Sequence, residues 1–77
     1  MVKNHTISAT AIRKRGTDLF ACLGDDEDMH FGPVGARTMF FDPLVDEEAI
    51  YAHMSAAEGG HETVEEVTVT LTVAVAN

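Results

Sequence analysis

Val67-Thr68-Val69-Thr70-Leu71-Thr72-Val73-Ala74-Val75-Ala76 reads as a β-strand over its whole length. Successive side chains of a strand point to opposite faces. Val67, Val69, Leu71, Val73 and Val75 therefore share one side, and Thr68, Thr70, Thr72 and Ala74 the other. β-branched residues are stiff at χ1 and suit a pleated surface, so propensity and pattern agree. At about 3.3 Å per residue the stretch spans on the order of 33 Å, the width of a small domain. An apolar stripe of that length calls for a cover, and Leu71 is expected at the buried centre of the sheet.

Working outward, His5 to Lys14 reads as a first strand, with Ile7, Ala9 and Ala11 on one face and Thr6, Ser8, Thr10 and Ile12 on the other. Met1 to Asn4 is expected to fray. Arg15-Gly16 offers a tight turn into a second strand, Thr17 to Leu23. With Lys14 opposite Thr17, Arg13 meets Asp18, Ala11 meets Phe20 and Ala9 meets Cys22. That register stacks Ile7, Ala9, Ala11, Phe20 and Cys22 on the expected core face. Gly24-Asp25-Asp26-Glu27-Asp28 breaks the strand as a solvated acidic loop. Met29 to Gly35 reads as irregular because Pro33 lacks a ladder donor. Ala36 to Phe41 reads as a short third strand.

Asp42-Pro43 marks a helix start, since Asp accepts from free N–H groups and Pro at the first helical position loses no bond. Gly59-Gly60 closes the helix. Val45, Ala49, Ala52 and Ala56 form a small-residue stripe expected to lie close on the sheet, beside a bulkier stripe of Ile50, Met54 and Ala57. Leu44 and Tyr51 fall on an exposed flank. Val64 has the wrong parity for the stripe that begins at Val67, and a bulge near Glu65-Glu66 would repair the phase. The expected fold is α+β: a small antiparallel or mixed sheet of about four strands, in the order β-hairpin, β, α, β, with one helix packed on one face.

The chain of 77 residues is read as a single small acidic α+β domain, residues 1–77. A chain of this size buries only about 60% of the surface it exposes when unfolded. That leaves little room for a deep pocket beside a stable core, and argues against an enzyme. A lone cysteine, Cys22, makes no internal disulfide. With no signal-like segment and no apolar run of about 20 residues, a soluble cytoplasmic protein is expected.

Charge is the more informative quantity. Lys3, Arg13, Lys14, Arg15 and Arg37 are the bases, and Asp18, Asp25, Asp26, Glu27 and Asp28 balance them. From Thr38 onward come Asp42, Asp46, Glu47, Glu48, Glu58, Glu62, Glu65 and Glu66 with no base, so this half carries the whole net charge of −8. A one-signed half repels nucleic acid and anionic membranes and steers towards basic surfaces.

Known chemical signatures are missing. His5, His30, His53 and His61 lack the short paired spacing of a zinc site, and none lies within reach in sequence of Cys22. A calcium loop counted from Asp25 would need glycine at its sixth position, where His30 stands. Gly32-Pro33-Val34-Gly35 lacks the G-K-[ST] ending of a phosphate loop, and Ser8 and Ser55 lie in no nucleophile elbow. No cofactor or metal is expected. Arg13-Lys14-Arg15 is too small a basic cluster to bind nucleic acid against such an acidic remainder.

By size and one-signed charge, and by no motif, the chain resembles small phage-encoded inhibitors of bacterial defence such as anti-CRISPR and anti-restriction proteins. The resemblance implies a non-enzymatic module that occupies a basic, nucleic-acid-binding surface of a host protein or nucleoprotein complex. It would bind neither nucleic acid nor membrane itself. The binding residues expected are Asp46, Glu47, Glu48, Glu58, Glu62, Glu65 and Glu66, with Tyr51 as an aromatic anchor. The alternative is a structural or virion-type assembly subunit that self-associates through strand edges, and a homodimer is compatible with either.

Overall fold

In the computed structural model, which describes residues 2–76, the chain runs β1 (Val2–Lys14), β2 (Phe20–Leu23), β3 (Met29–Gly32), α1 (Glu47–Ala56), a 3-10 turn (Gly60–Thr63) and β4 (Val64–Ala76). The described strands form a four-stranded antiparallel sheet in the order β3-β2-β1-β4, and α1 packs on one face. The fold is α+β. The third strand is Met29–Gly32, not residues 36–41, so the chain order is β, β, β, α, β.

β1 and β4 pair along their full lengths, from Val2 opposite Ala76 to Lys14 opposite Val64. Val2 to Asn4 are therefore held in the ladder; Met1 lies outside the described residues. No bulge interrupts the ladder at Glu65-Glu66. Residues directly opposite share a side. One row holds Val67 with Ala11, Val69 with Ala9, Leu71 with Ile7 and Val73 with His5. The other holds Val64 with Lys14, Glu66 with Ile12, Thr68 with Thr10 and Thr70 with Ser8.

The helix covers the second row. Ile12, at 0% exposed, and Val64, at 1%, pack with Ala21, Phe41, Ile50, Met54 and Ala57, flanked by Met29, Phe31 and Met39. The main cluster thus lies on the face opposite to the expected one, although Ala9 and Ala11 of the expected face are buried too. On that expected face Ile7 is half exposed and Leu71 only partly buried; the two alanines contribute only methyl groups and stand outside the main cluster. The reason is bulk: Ile12, Val64, Phe41 and Phe31 project from the helix side, and burying them removes more apolar surface than burying alanines. Val64 needed no bulge because it belongs to this row.

The hairpin register also differs from expectation. Arg13 lies opposite Phe20, and Lys14 N–H donates to the Leu19 carbonyl, so the loop holds Arg15 to Asp18. Gly16 takes a positive φ of 74° there. Arg13 consequently misses Asp18 and pairs across to Glu65 at 2.8 Å. Beyond Arg13 the hairpin opens, and residues 37–41 enter between β1 and β2. Thr10 and Phe41 exchange backbone bonds of 2.9 and 2.8 Å, and Met39 N–H donates to the Ala21 carbonyl at 2.9 Å. This segment is two isolated bridges, Thr10 with Phe41 and Cys22 with Thr38, instead of a regular strand.

The helix starts later than the Asp42-Pro43 signal. Asp42 Oδ1 accepts from Leu44 N–H at 2.9 Å, and Asp46 Oδ2 accepts from Asp42 N–H at 2.8 Å. These bonds close a separate turn, so α1 opens at Glu47. Ile50 and Met54 then face the sheet, and the small stripe of Val45, Ala49, Ala52 and Ala56 faces solvent. Leu44, 91% exposed, and Tyr51, 66% exposed, lie outside the core as expected.

The acidic loop is less isolated than its sequence implies. Asp25 pairs with Arg37 at 2.9 Å, and Asp26 with His30 Nε2 at 2.9 Å. The hydrogen bond from His30 lowers the Asp26 pKa, and the same bond raises that of His30. A raised His30 stabilises the fold below the ordinary histidine value of 6.5 and loses the effect as pH rises through its folded value. A lowered Asp26 stabilises above 3.8 and loses the effect as pH falls through its folded value. The pair is thus intact between these limits. Asp26→Asn is expected to move the His30 titration midpoint, followed by its ring-proton NMR shifts, down towards 6.5; an unmoved midpoint would show that the pair does not persist in water.

β1 and β4 also outrun the core. Residues 2–8 are all exposed, as are residues 72–76, and the molecule measures 46 × 27 × 23 Å. The result is a two-stranded ribbon projecting from the helix-backed part of the sheet.

Candidate protein-binding face

Three elements carry the carboxylates of the second half: α1, the 3-10 turn and the first residues of β4. Glu47 and Tyr51 lie four residues apart, hence on one side of α1. With Ile50, Met54, His61 and Glu66 they line a shallow hollow of roughly 160 Å³ between the helix and β4. Such a volume is well below the ~300 Å³ at which small-molecule sites begin. The hollow is better suited to a side chain of another macromolecule.

Its centre is ordered by aromatic packing. The Tyr51 and His61 rings lie 4.4 Å apart between centroids at 44°, and His61 Nε2 shares a 2.6 Å hydrogen bond with Ser55 Oγ. That contact gives the exposed tyrosine a neighbour to pack on, and a side chain held by such packing loses less entropy on binding. On the inner side of the helix Phe41 packs against His53, with ring centroids 5.6 Å apart.

The 3-10 turn that presents His61 and Glu62 is held from below. Thr63 Oγ1 donates towards the Glu58 and Gly60 carbonyls, at 2.8 and 2.9 Å. Gly59 enters the turn at φ 83°, and a Cβ there would lie 2.5 Å from Thr63 Cγ2. Gly59→Ala is expected to cost about 1–3 kcal/mol from the strained backbone and to displace His61 from Tyr51. Thermal melts and tyrosine fluorescence would read the two effects, and a melt equal to wild type would contradict the turn.

The structure sorts the expected site residues into several places. Glu47, Tyr51 and Glu66 come together, while Glu48 and Glu62 are exposed on α1 and the turn without lining that hollow. Asp46 is engaged in the turn with Asp42. Glu58 lines a different hollow, with Lys14, Met29 and Phe31. Glu65 sits on the opposite face of the sheet, at 2.8 Å from Arg13 and 3.7 Å from Arg15. Among the described residues no ion pair involves Glu47, Glu48, Glu58, Glu62 or Glu66. The missed members are Ser55 and His61. Their six-residue spacing carries no helical signal, because the turn between them sets the contact.

Among the described residues no three His, Cys, Asp or Glu side chains cluster as metal ligands would, and no helix is long and apolar enough to cross a membrane. Comparison with protein-family models, curated proteins and solved structures finds no match to this chain.

Proposed function

We propose that this protein is a non-enzymatic binding module that sets its acidic helix face against a basic, nucleic-acid-binding surface of a host protein or nucleoprotein complex, as a small phage-type inhibitor would. The observation that carries the reading is that Glu47 and Glu66, which line the hollow with an exposed Tyr51, and the exposed Glu48 and Glu62 on the same helix and turn make no ion pair among the described residues. Rim charges steer encounter and a central aromatic supplies contact energy. Glu65 leaves the proposed site because Arg13 and Arg15 already neutralise it. The test is competition: nucleic acid should displace the protein from its partner and should not bind the protein itself. Direct binding of DNA or RNA by the purified chain would refute the proposal.

The second reading, an assembly subunit, draws on the free edge of β4. Open-ended growth needs two different interfaces on each copy, and the opposite edge of the sheet, β3, has only four residues.

A further inference from the structure

Which backbone groups of β4 remain free follows from one hydrogen bond. Arg15 N–H donates to the Thr63 carbonyl at 3.0 Å, in register with the β1–β4 ladder. Antiparallel ladders alternate hydrogen-bonded and non-hydrogen-bonded pairs. The odd residues of β4 therefore bond to β1, and the even ones, Glu66, Thr68, Thr70, Thr72 and Ala74, point their N–H and C=O groups outward. The Thr10–Phe41 bonds on the far side of β1 obey the same parity.

This edge carries none of the usual protections. β4 has no proline or bulge, and no charge after Glu66. Such an edge is a template for another strand. The ribbon beyond the core also lacks support: a two-stranded hairpin is marginal in water, and a third strand or a packing surface is needed.

We propose that a second copy of this chain supplies that strand, β4 pairing antiparallel with β4 about a two-fold axis at Thr70. Centred there, all of Val64–Ala76 is matched, with Thr68 opposite Thr72 and Glu66 opposite Ala74 of the second copy. The exposed tip of each ribbon then lies against the helix-backed half of the other copy's β4. Charge selects this arrangement. A parallel pairing would set Glu65 and Glu66 against their own copies. The antiparallel one puts the two acidic ends about 30 Å apart at the strand rise, several screening lengths in physiological salt. It also brings Lys3, the one cation of the ribbon, to the face that holds Glu65. Because even residues can pair only with even ones, both helices fall on the same side of the joined sheet. The residue arriving beside the Tyr51–Glu66 hollow is the small Ala74. The pairing is independent of the acidic-face reading and survives its failure.

Sedimentation and amide exchange of the full chain test it. The expected mass is twice the 8.3 kDa of the chain, with the Thr68, Thr70 and Thr72 amides slow to exchange. Thr70→Pro removes an outward donor and no β1 bond, and proline is tolerated at sheet edges. It should give the single-chain mass and fast exchange at Thr68 and Thr72, with the odd amides still slow as proof of folding. Should Thr70→Pro fail to fold, Thr70→Cys in a Cys22→Ser background decides: a hydrogen-bonded antiparallel pair holds its Cα atoms ~5.5 Å apart, within disulfide reach. That variant should oxidise to a covalent dimer, and Thr6→Cys should not. A single-chain mass well into the micromolar range would overturn the proposal. So would a dimer that keeps fast even amides, as face-to-face packing of the valine rows requires, or a mass that grows without limit.

Discussion

Ile12→Ala should unfold this protein more readily than any other single truncation of an aliphatic side chain, at a cost of about 2–5 kcal/mol. Ile12 is fully buried between the sheet and α1, against Val64, Ile50 and Met54. Alanine there forfeits the transfer energy of the lost carbons and leaves a cavity in a core one side chain deep. A chain of 77 residues has a total stability of roughly 4–12 kcal/mol at the usual value per residue, so the loss is about a sixth of the whole at least and about half at mid-range. At roughly 4–8 °C per kcal/mol for a domain of this size, the melting temperature should fall by about 8–40 °C. Leu71→Ala is the control. Leu71 lies in the middle of the most regular alternation but on the face away from the main cluster, only partly buried, and its loss should cost less than half as much. Equal denaturant midpoints for the two variants would place the helix on the wrong side of the sheet.

Reversing Glu47, Glu48 and Glu66 to lysine together is expected to slow association with a basic partner by about 10- to 100-fold at low ionic strength. The dependence of the rate on salt should flatten with it, since rim charges act mainly on the encounter. The three side chains are exposed and make no ion pair among the described residues, so the fold should tolerate the change. Neutralising Asp25 and Asp26 should alter the rate far less, because Arg37 and His30 already offset those carboxylates. Glu65→Lys is a poor probe of the same face: it would set a third cation beside Arg13 and Arg15 and disturb the sheet. Stopped-flow rates across a salt series distinguish these cases. Charge reversal without effect on rate or salt slope would remove the acidic face from the function.

The local elements were largely legible in the residues. Alternation of β-branched residues marked β4, whereas the two glycines at 59–60 placed the helix end too late: α1 stops at Ala56 ahead of an extended Ala57, and Gly59 opens the 3-10 turn instead. The one-signed charge after Arg37 marked the candidate face. These signals depend on neighbours in sequence, which is why they could be read without tertiary information. Two elements were misplaced for the converse reason. Met29–Gly32 has one strand former, Phe31, beside glycine and histidine, and it is a strand because β2 offers it a ladder. Residues 36–41 have better strand propensity, yet they are wedged where the hairpin opens and make only isolated bridges.

Alternation says that a strand has two faces; it does not say which one a helix will cover. The regular row, Val67 to Val75, looked like the core because it is long and uniform. Burial depends instead on which row gathers bulk from several elements at once, and Ile12, Val64, Phe41 and Phe31 come from four separate stretches. The parity of Val64 held that information, as membership of the other row, but only the ladder with β1 gives it that meaning. The same holds for Glu65. Its sequence neighbours make it one more acid of a run, and a two-residue shift in the hairpin register gives Arg13 to it in place of Asp18. Sequence alone determined the long strands β1 and β4, the existence of one helix between residues 42 and 60, and the sign of the surface. The packing of distant residues decided the covered face, the acids left unpaired and the strand edge left open, because each depends on contacts between residues that the chain itself keeps far apart.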